Sequence, residues 1–176
     1  FIIFILLLWN YFEYKTQQLL ISNKKLPFHL PILFIFCLFF QVCVGAFVSG
    51  LDAGQIYQTW PLMNQSYFPD DSNLKDLFSM KAFETPSIVQ FIHRNIAYFI
   101  ILLFSFIATI IYRNDDFAHL RNATFLVSIF LFLQILLGIL TILSGAQIIV
   151  ASMHQIVSIL LITTSLILVF KNSRIN

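Results

Sequence analysis

Four runs of about 20 apolar residues, each almost free of charge, constrain this chain more than any other feature. They cover roughly residues 28–48, 88–111, 123–143 and 148–170. At 1.5 Å per residue such a run spans the roughly 30 Å hydrocarbon layer of a bilayer. Lipid offers the backbone no hydrogen-bond partners, so each run has to close its own bonds as a helix. The expected fold is therefore all-α: a polytopic membrane protein whose four spans form an up-down four-helix bundle. Composition agrees, with 59% hydrophobic residues, 10% charged and a mean hydropathy of +0.88. A soluble domain carries about 25% charged residues. Membrane lipid is the expected partner, and a net charge of +2 gives no reason to expect nucleic acid.

A fifth apolar run, residues 1–9, closes on Trp9, Tyr11, Glu13, Tyr14 and Lys15. That order, apolar then aromatic then charged, marks a helix leaving a membrane. Nine residues rise only about 14 Å, and the basic start of a signal peptide is absent. Residues 1–12 are accordingly expected to be the tail of a truncated helix, with residues 1–20 forming that tail and an inner loop. Residues 21–176 form the bundle, with a long loop over 49–87. Lys15, Lys24, Lys25, Arg113, Arg121, Lys171 and Arg174 flank one set of helix ends, while Lys75, Lys81 and Arg94 lie at the other beside several acidic residues. Positive-inside counting puts the long loop on the outer side. Cys37 and Cys43 lie six residues apart on one span, about 9 Å along its axis, too far to bridge.

Spans two and four, counting the first run as one, share a pattern: Gln41 is followed by Gly45, and Gln134 by Gly138. Spans three and five carry His93 and His154, each followed four residues on by a small residue, Ala97 or Ser158. This reads as a duplicated helix pair. Both histidines fall near the same depth, roughly 8–9 Å inside the outer end, on helices expected to be diagonal neighbours about 11–14 Å apart. Two facing imidazoles at that spacing suit a flat metal macrocycle, and bis-histidine haem ligation in the bundle core is the expectation. Gly45 and Gly138 would let the other helices approach its edges. Gln41 and Gln134 are expected to donate hydrogen bonds between helices or to touch the cofactor edge, the former by preference. Arg94 is expected either to pair with a haem propionate or to sit as an interfacial charge. His29 and His119, at the inner end, read as solvated residues, and neither histidine of the pair has a nearby Cys or carboxylate to complete a zinc site.

The segment from Gly45 to Met63 contains GAFVSGLDAG and YQTWPLM; further on come VQFIHRNIAY, LQILLGILTILSG and ASMHQ. These stretches resemble the C-terminal half of the haem A synthase family, over most of residues 38–165. The resemblance implies a haem b cofactor held by His93 and His154 as axial ligands. It also implies an intact membrane oxidoreductase of two four-helix bundles that oxidises a methyl of haem O to the formyl of haem A for cytochrome oxidase. The catalytic residues would lie in the N-terminal half, so this fragment alone is expected to be inactive. The absence of an outer-loop cysteine pair resembles the mitochondrial and alphaproteobacterial branch, hence a mitochondrial inner or bacterial cytoplasmic membrane. Electrons would pass to or from a quinone or a partner protein. Two other readings use the same histidines: a b-type cytochrome membrane anchor, and a transporter repeat that moves protons.

Overall fold

The computed structural model describes residues 2–15, 25–27 and 29–174, and the boundary expected near residue 20 lies outside them. Among the described residues five helices carry the fold: α1 Ile2–Lys15, α2 His29–Gly50, α3 Pro86–Arg113, α4 Arg121–Leu143 and α5 Ile148–Ser173. Helices α2 to α5, with the turn leading into α4, are long and apolar enough to cross a membrane. The all-α polytopic expectation holds, and each span extends two or three residues beyond at least one of its expected bounds. Proline at the first turn of α3 costs nothing, because its missing N–H is one that a helix start leaves unpaired.

The connections decide the arrangement. Helices α4 and α5 are joined by the tight turn Ser144–Gln147, and α4 ends where Gly145 and Ala146 take left-handed φ values of 67° and 58°. Ala146 N–H reaches back to the Thr141 carbonyl at 2.8 Å, closing the helix end. Helix α2 packs on α3 and α5, and α4 on α5 and α3, so α3 and α5 stand diagonally across the bundle. Helix α1 packs on α5 from outside, through Trp9 and Phe12 against the Phe170 ring at 5.3 and 5.5 Å.

Burial is uneven along the bundle. On α4 the buried residues end at Leu131, and on α5 they begin at Leu161. The close-packed core therefore fills the end away from the long loop, around Phe34, Phe104, Ile107, Val127 and Leu166. Asn172, wholly buried, closes that end. Its Oδ1 accepts from Leu26 N–H at 2.9 Å and its Nδ2 donates to the Leu26 carbonyl at 3.2 Å. Asn172→Ala removes both bonds and leaves two buried backbone groups unpaired, at about 1–3 kcal/mol each. The expected outcome is a clear loss of thermal stability in detergent, measured as a lower Tm, with little change at the histidine end.

Candidate functional site: a duplicated glutamine, histidine and glycine set

His93 is the eighth residue of α3 and His154 the seventh of α5. Both helices start at the loop end, so the rings lie about 10 Å and 9 Å along their axes, at nearly one depth. That depth is the less tightly packed half of the bundle.

Each ring is held by the neighbouring helix in the same way. Gln41 Nε2 lies 3.2 Å from His93 Nε2, and Gln134 Nε2 lies 3.2 Å from His154 Nε2. An amide nitrogen only donates, so each imidazole Nε2 accepts and the ring proton belongs on Nδ1. One turn along from each glutamine comes the glycine. A Cβ on Gly45 would meet His93 Cε1 at 3.2 Å, and one on Gly138 would meet His154 Cε1 at 3.1 Å. Both contacts are tighter than ordinary packing, so a Cβ at either position would press on the facing ring. His93 Nδ1, His154 Nδ1, Gln41 Oε1 and Gln134 Oε1 are buried without a protein partner. Four unpaired polar atoms in one buried layer are costly unless something else meets them.

The two halves differ in one respect. Gln41 Nε2 also donates to the His93 backbone carbonyl at 3.0 Å, which fixes its amide on α3. Gln134 shows no second bond of this kind, and Ser158, one turn beyond His154, donates to the Gln155 carbonyl at 2.6 Å.

Arg94 points elsewhere. It is 6% exposed, and its Nη2 and Nη1 donate to the carbonyls of Tyr57 and Leu62 at 3.1 and 3.3 Å. Gln90 Nε2 donates to the same Tyr57 carbonyl at 3.0 Å, and Ser87 Oγ donates to Asp71 Oδ2 at 2.5 Å. Ser87, Gln90 and Arg94 form one row along α3 and clamp the long loop to it. Sequence reasoning singled out Arg94 but missed Ser87, Gln90, Tyr57 and Asp71. The available signal was the spacing of three polar residues at three and four along an otherwise apolar helix start. His29 is exposed at the start of α2 and His119 half-buried before α4, both at the opposite end from the pair. Cys37 and Cys43 are free thiols. Among the described residues no three of His, Cys, Asp and Glu converge.

The loop clamp carries its own acid dependence. Partial burial alone would raise the Asp71 carboxyl, but hydrogen bonds from Ser87, Ser72 and Tyr57 outweigh it and hold the group below its ordinary 3.8. Burial, then the charge of Asp71, pushes the Tyr57 phenol up. A depressed carboxylate contributes stability above its unfolded value and loses it as pH falls through the folded one. Loop docking is therefore expected to loosen below about pH 4, read as faster amide exchange over residues 57–62, and Asp71→Asn should flatten that acid limb. Arg94→Ala should speed the same exchange at neutral pH without loss of helix content.

The family model described as cytochrome oxidase assembly protein matches residues 1–166 of this chain. A haem A synthase from Pelagibacter ubique (strain HTCC1062) is 40% identical over 172 residues, covering 97% of this chain and 50% of that protein. The protein of that name from Rickettsia conorii (strain ATCC VR-613 / Malish 7) is 34% identical over 167 residues, covering 92% and 48%. The one from Bartonella tribocorum (strain CIP 105476 / IBS 506) is 34% identical over 143 residues, covering 81% and 39%. The chain thus spans about half the length of the first curated relatives it matches. No solved structure matches it.

Proposed function

The chain belongs to the cytochrome oxidase assembly protein family, and from that premise we propose that it is the cofactor-holding unit of a haem A synthase. In this reading His93 and His154 are the axial ligands of a haem b. The observation that carries it is the paired set itself: two imidazoles at one depth on diagonal helices, each oriented by a glutamine and each seated against a glycine. The residues fit such a group. Two imidazoles with one proton each are neutral ligands, the opposed glycines leave room where a Cβ would crowd the rings, and the unpaired atoms ring one layer.

When bound, haem b supplies a one-electron couple whose potential is set by its axial ligands and by burial. The chain's own residues do the rest. Gln41 and Gln134 orient the imidazoles through the Nε2 contacts, so that His93 and His154 would be the residues to hold such a group. Gly45 and Gly138 keep the α2 and α4 backbones close to the rings. Ser87, Gln90 and Arg94 fix the long loop at the mouth of this half and limit water access. With both terminal nitrogens bonded to loop carbonyls, Arg94 is read as the loop clamp rather than as a propionate partner.

Oxidation of the haem O methyl to the formyl of haem A is proposed for the full-length enzyme, with the present residues serving electron transfer to or from the substrate haem. The basic residues at the far helix ends orient the long loop to the outer side. The test is the visible spectrum and pyridine haemochrome of the purified chain reconstituted with haem b. A low-spin spectrum with stoichiometric b-type haem is expected. A chain that stays folded yet binds no haem, or binds it only as a high-spin species, overturns the assignment.

A further inference from the structure

The long loop does not simply cap the bundle. Part of it turns outward and follows the membrane-facing flank of the α2–α3 pair. Phe36, Phe40 and Phe47 share one exposed face of α2, and Phe99, Leu102 and Phe106 one exposed face of α3. An open groove lined by Phe36, Phe40, Asn95 and Phe99 shows that the two faces adjoin. The loop meets both of them. The Tyr67 hydroxyl donates to Asn95 Oδ1, about 14 Å along α3 from its start, and the Tyr67 and Phe68 rings stand edge-on to Phe91 at 5.5 and 5.1 Å. Phe83 packs on Phe47 at 5.5 Å.

Between these two footholds lie the short turns Leu74–Phe78 and Met80–Phe83. Here Leu74, Phe78 and Met80 are 66%, 93% and 79% exposed. Three large apolar side chains this exposed within one short stretch, among polar neighbours, call for an apolar medium. Phe47 and Phe99 lie on helices long and apolar enough to cross a membrane, so lipid is the apolar medium expected beside them. Helix α1 does not supply the cover, since it packs on α5, and α5 stands diagonally from α3.

We propose that residues 67–83 form an interfacial anchor that seats Leu74, Phe78 and Met80 in the membrane surface beside the α2–α3 pair. Lys75 and Lys81 lie within the same turns, where their chains can reach the headgroup layer while the apolar residues dip below it. The anchor would tether the far side of the loop whose near side Arg94 and Gln90 clamp. This inference is independent of the haem assignment.

Site-directed spin labelling tests it. A nitroxide is placed at Phe78→Cys or Met80→Cys, in the Cys37→Ser, Cys43→Ser chain, in phosphatidylcholine nanodiscs. Collision rates are measured with oxygen, which concentrates in lipid, and with a nickel chelate, which stays in water. Labels at Leu102, on the lipid flank, and at Gln65, exposed in the loop, set the two limits. The oxygen-to-nickel ratio at both test positions is expected to rise clearly above that at Gln65, toward that at Leu102. A ratio matching Gln65 means the turns sit in water and overturns the proposal. Protection from both agents overturns it as well, because a protein surface then covers the turns.

Discussion

Replacing either His93 or His154 with Ala is expected to abolish the low-spin haem spectrum of the reconstituted chain. In the proposed assignment each ring would be the ligand on its side of the bundle, and the neighbouring Gln41 and Gln134 amides are much poorer ligands than imidazole. The loss of affinity should exceed the roughly 10–100-fold typical of removing a group that only orients a ligand. That smaller figure is the expectation for the glutamines. Gln41→Ala should cost more than Gln134→Ala, because Gln41 also bonds the His93 backbone carbonyl and holds ring and helix together. Titration of each variant with haem, followed by its Soret band, measures all four. A low-spin spectrum retained in both histidine variants would remove the ligand assignment altogether.

The second large effect is steric. Gly45→Leu or Gly138→Leu is expected to displace the facing imidazole and to lose low-spin haem as completely as the histidine variants do. Even a methyl group would lie 3.2 Å from His93 Cε1 or 3.1 Å from His154 Cε1. Alanine asks the ring to give by a few tenths of an ångström, whereas leucine occupies the ring's place. Overpacking of this kind costs about 1–3 kcal/mol in a close-packed core. This half of the bundle packs less tightly, so the fold should survive while the site does not. The graded series Gly, Ala, Leu, read by haem content at constant helical circular dichroism, separates loss of the site from loss of the protein. Equal haem content across the series would show that the rings do not depend on these glycines.

Much of this was legible in the chain. The span lengths, the absence of charge within them and the order of the connections require a helical bundle, because the bilayer leaves the backbone no alternative. The histidines were legible because a polar ring is costly in a span, and two at one depth are hard to explain singly. The pairing of Gln41 with Gly45 and of Gln134 with Gly138 was visible as spacing. What those residues touch was not. A spacing of four says that two residues share a face, and says nothing of which neighbour that face meets.

Arg94 shows the limit most clearly. In sequence it stands beside His93, and proximity alone suggests the cofactor proposed there. On a helix consecutive residues point about 100° apart, so His93 and Arg94 serve different surroundings. The tertiary structure turns Arg94 onto the Tyr57 and Leu62 carbonyls, more than 30 residues away along the chain. The loop was equally opaque, because its contacts with Asn95, Phe91 and Phe47 follow no local period.

The sequence by itself determined the four helices, among the described residues, that are long and apolar enough to cross a membrane, with two histidines at one level. Apolar length and the cost of a bare polar group in lipid are local properties, readable residue by residue. Only the tertiary structure decided that α3 and α5 stand diagonally, that each ring is seated by a glutamine and a glycine from the adjoining helix, and that Arg94 holds the loop. Those are contacts between distant segments, and they exist only once the helices have packed.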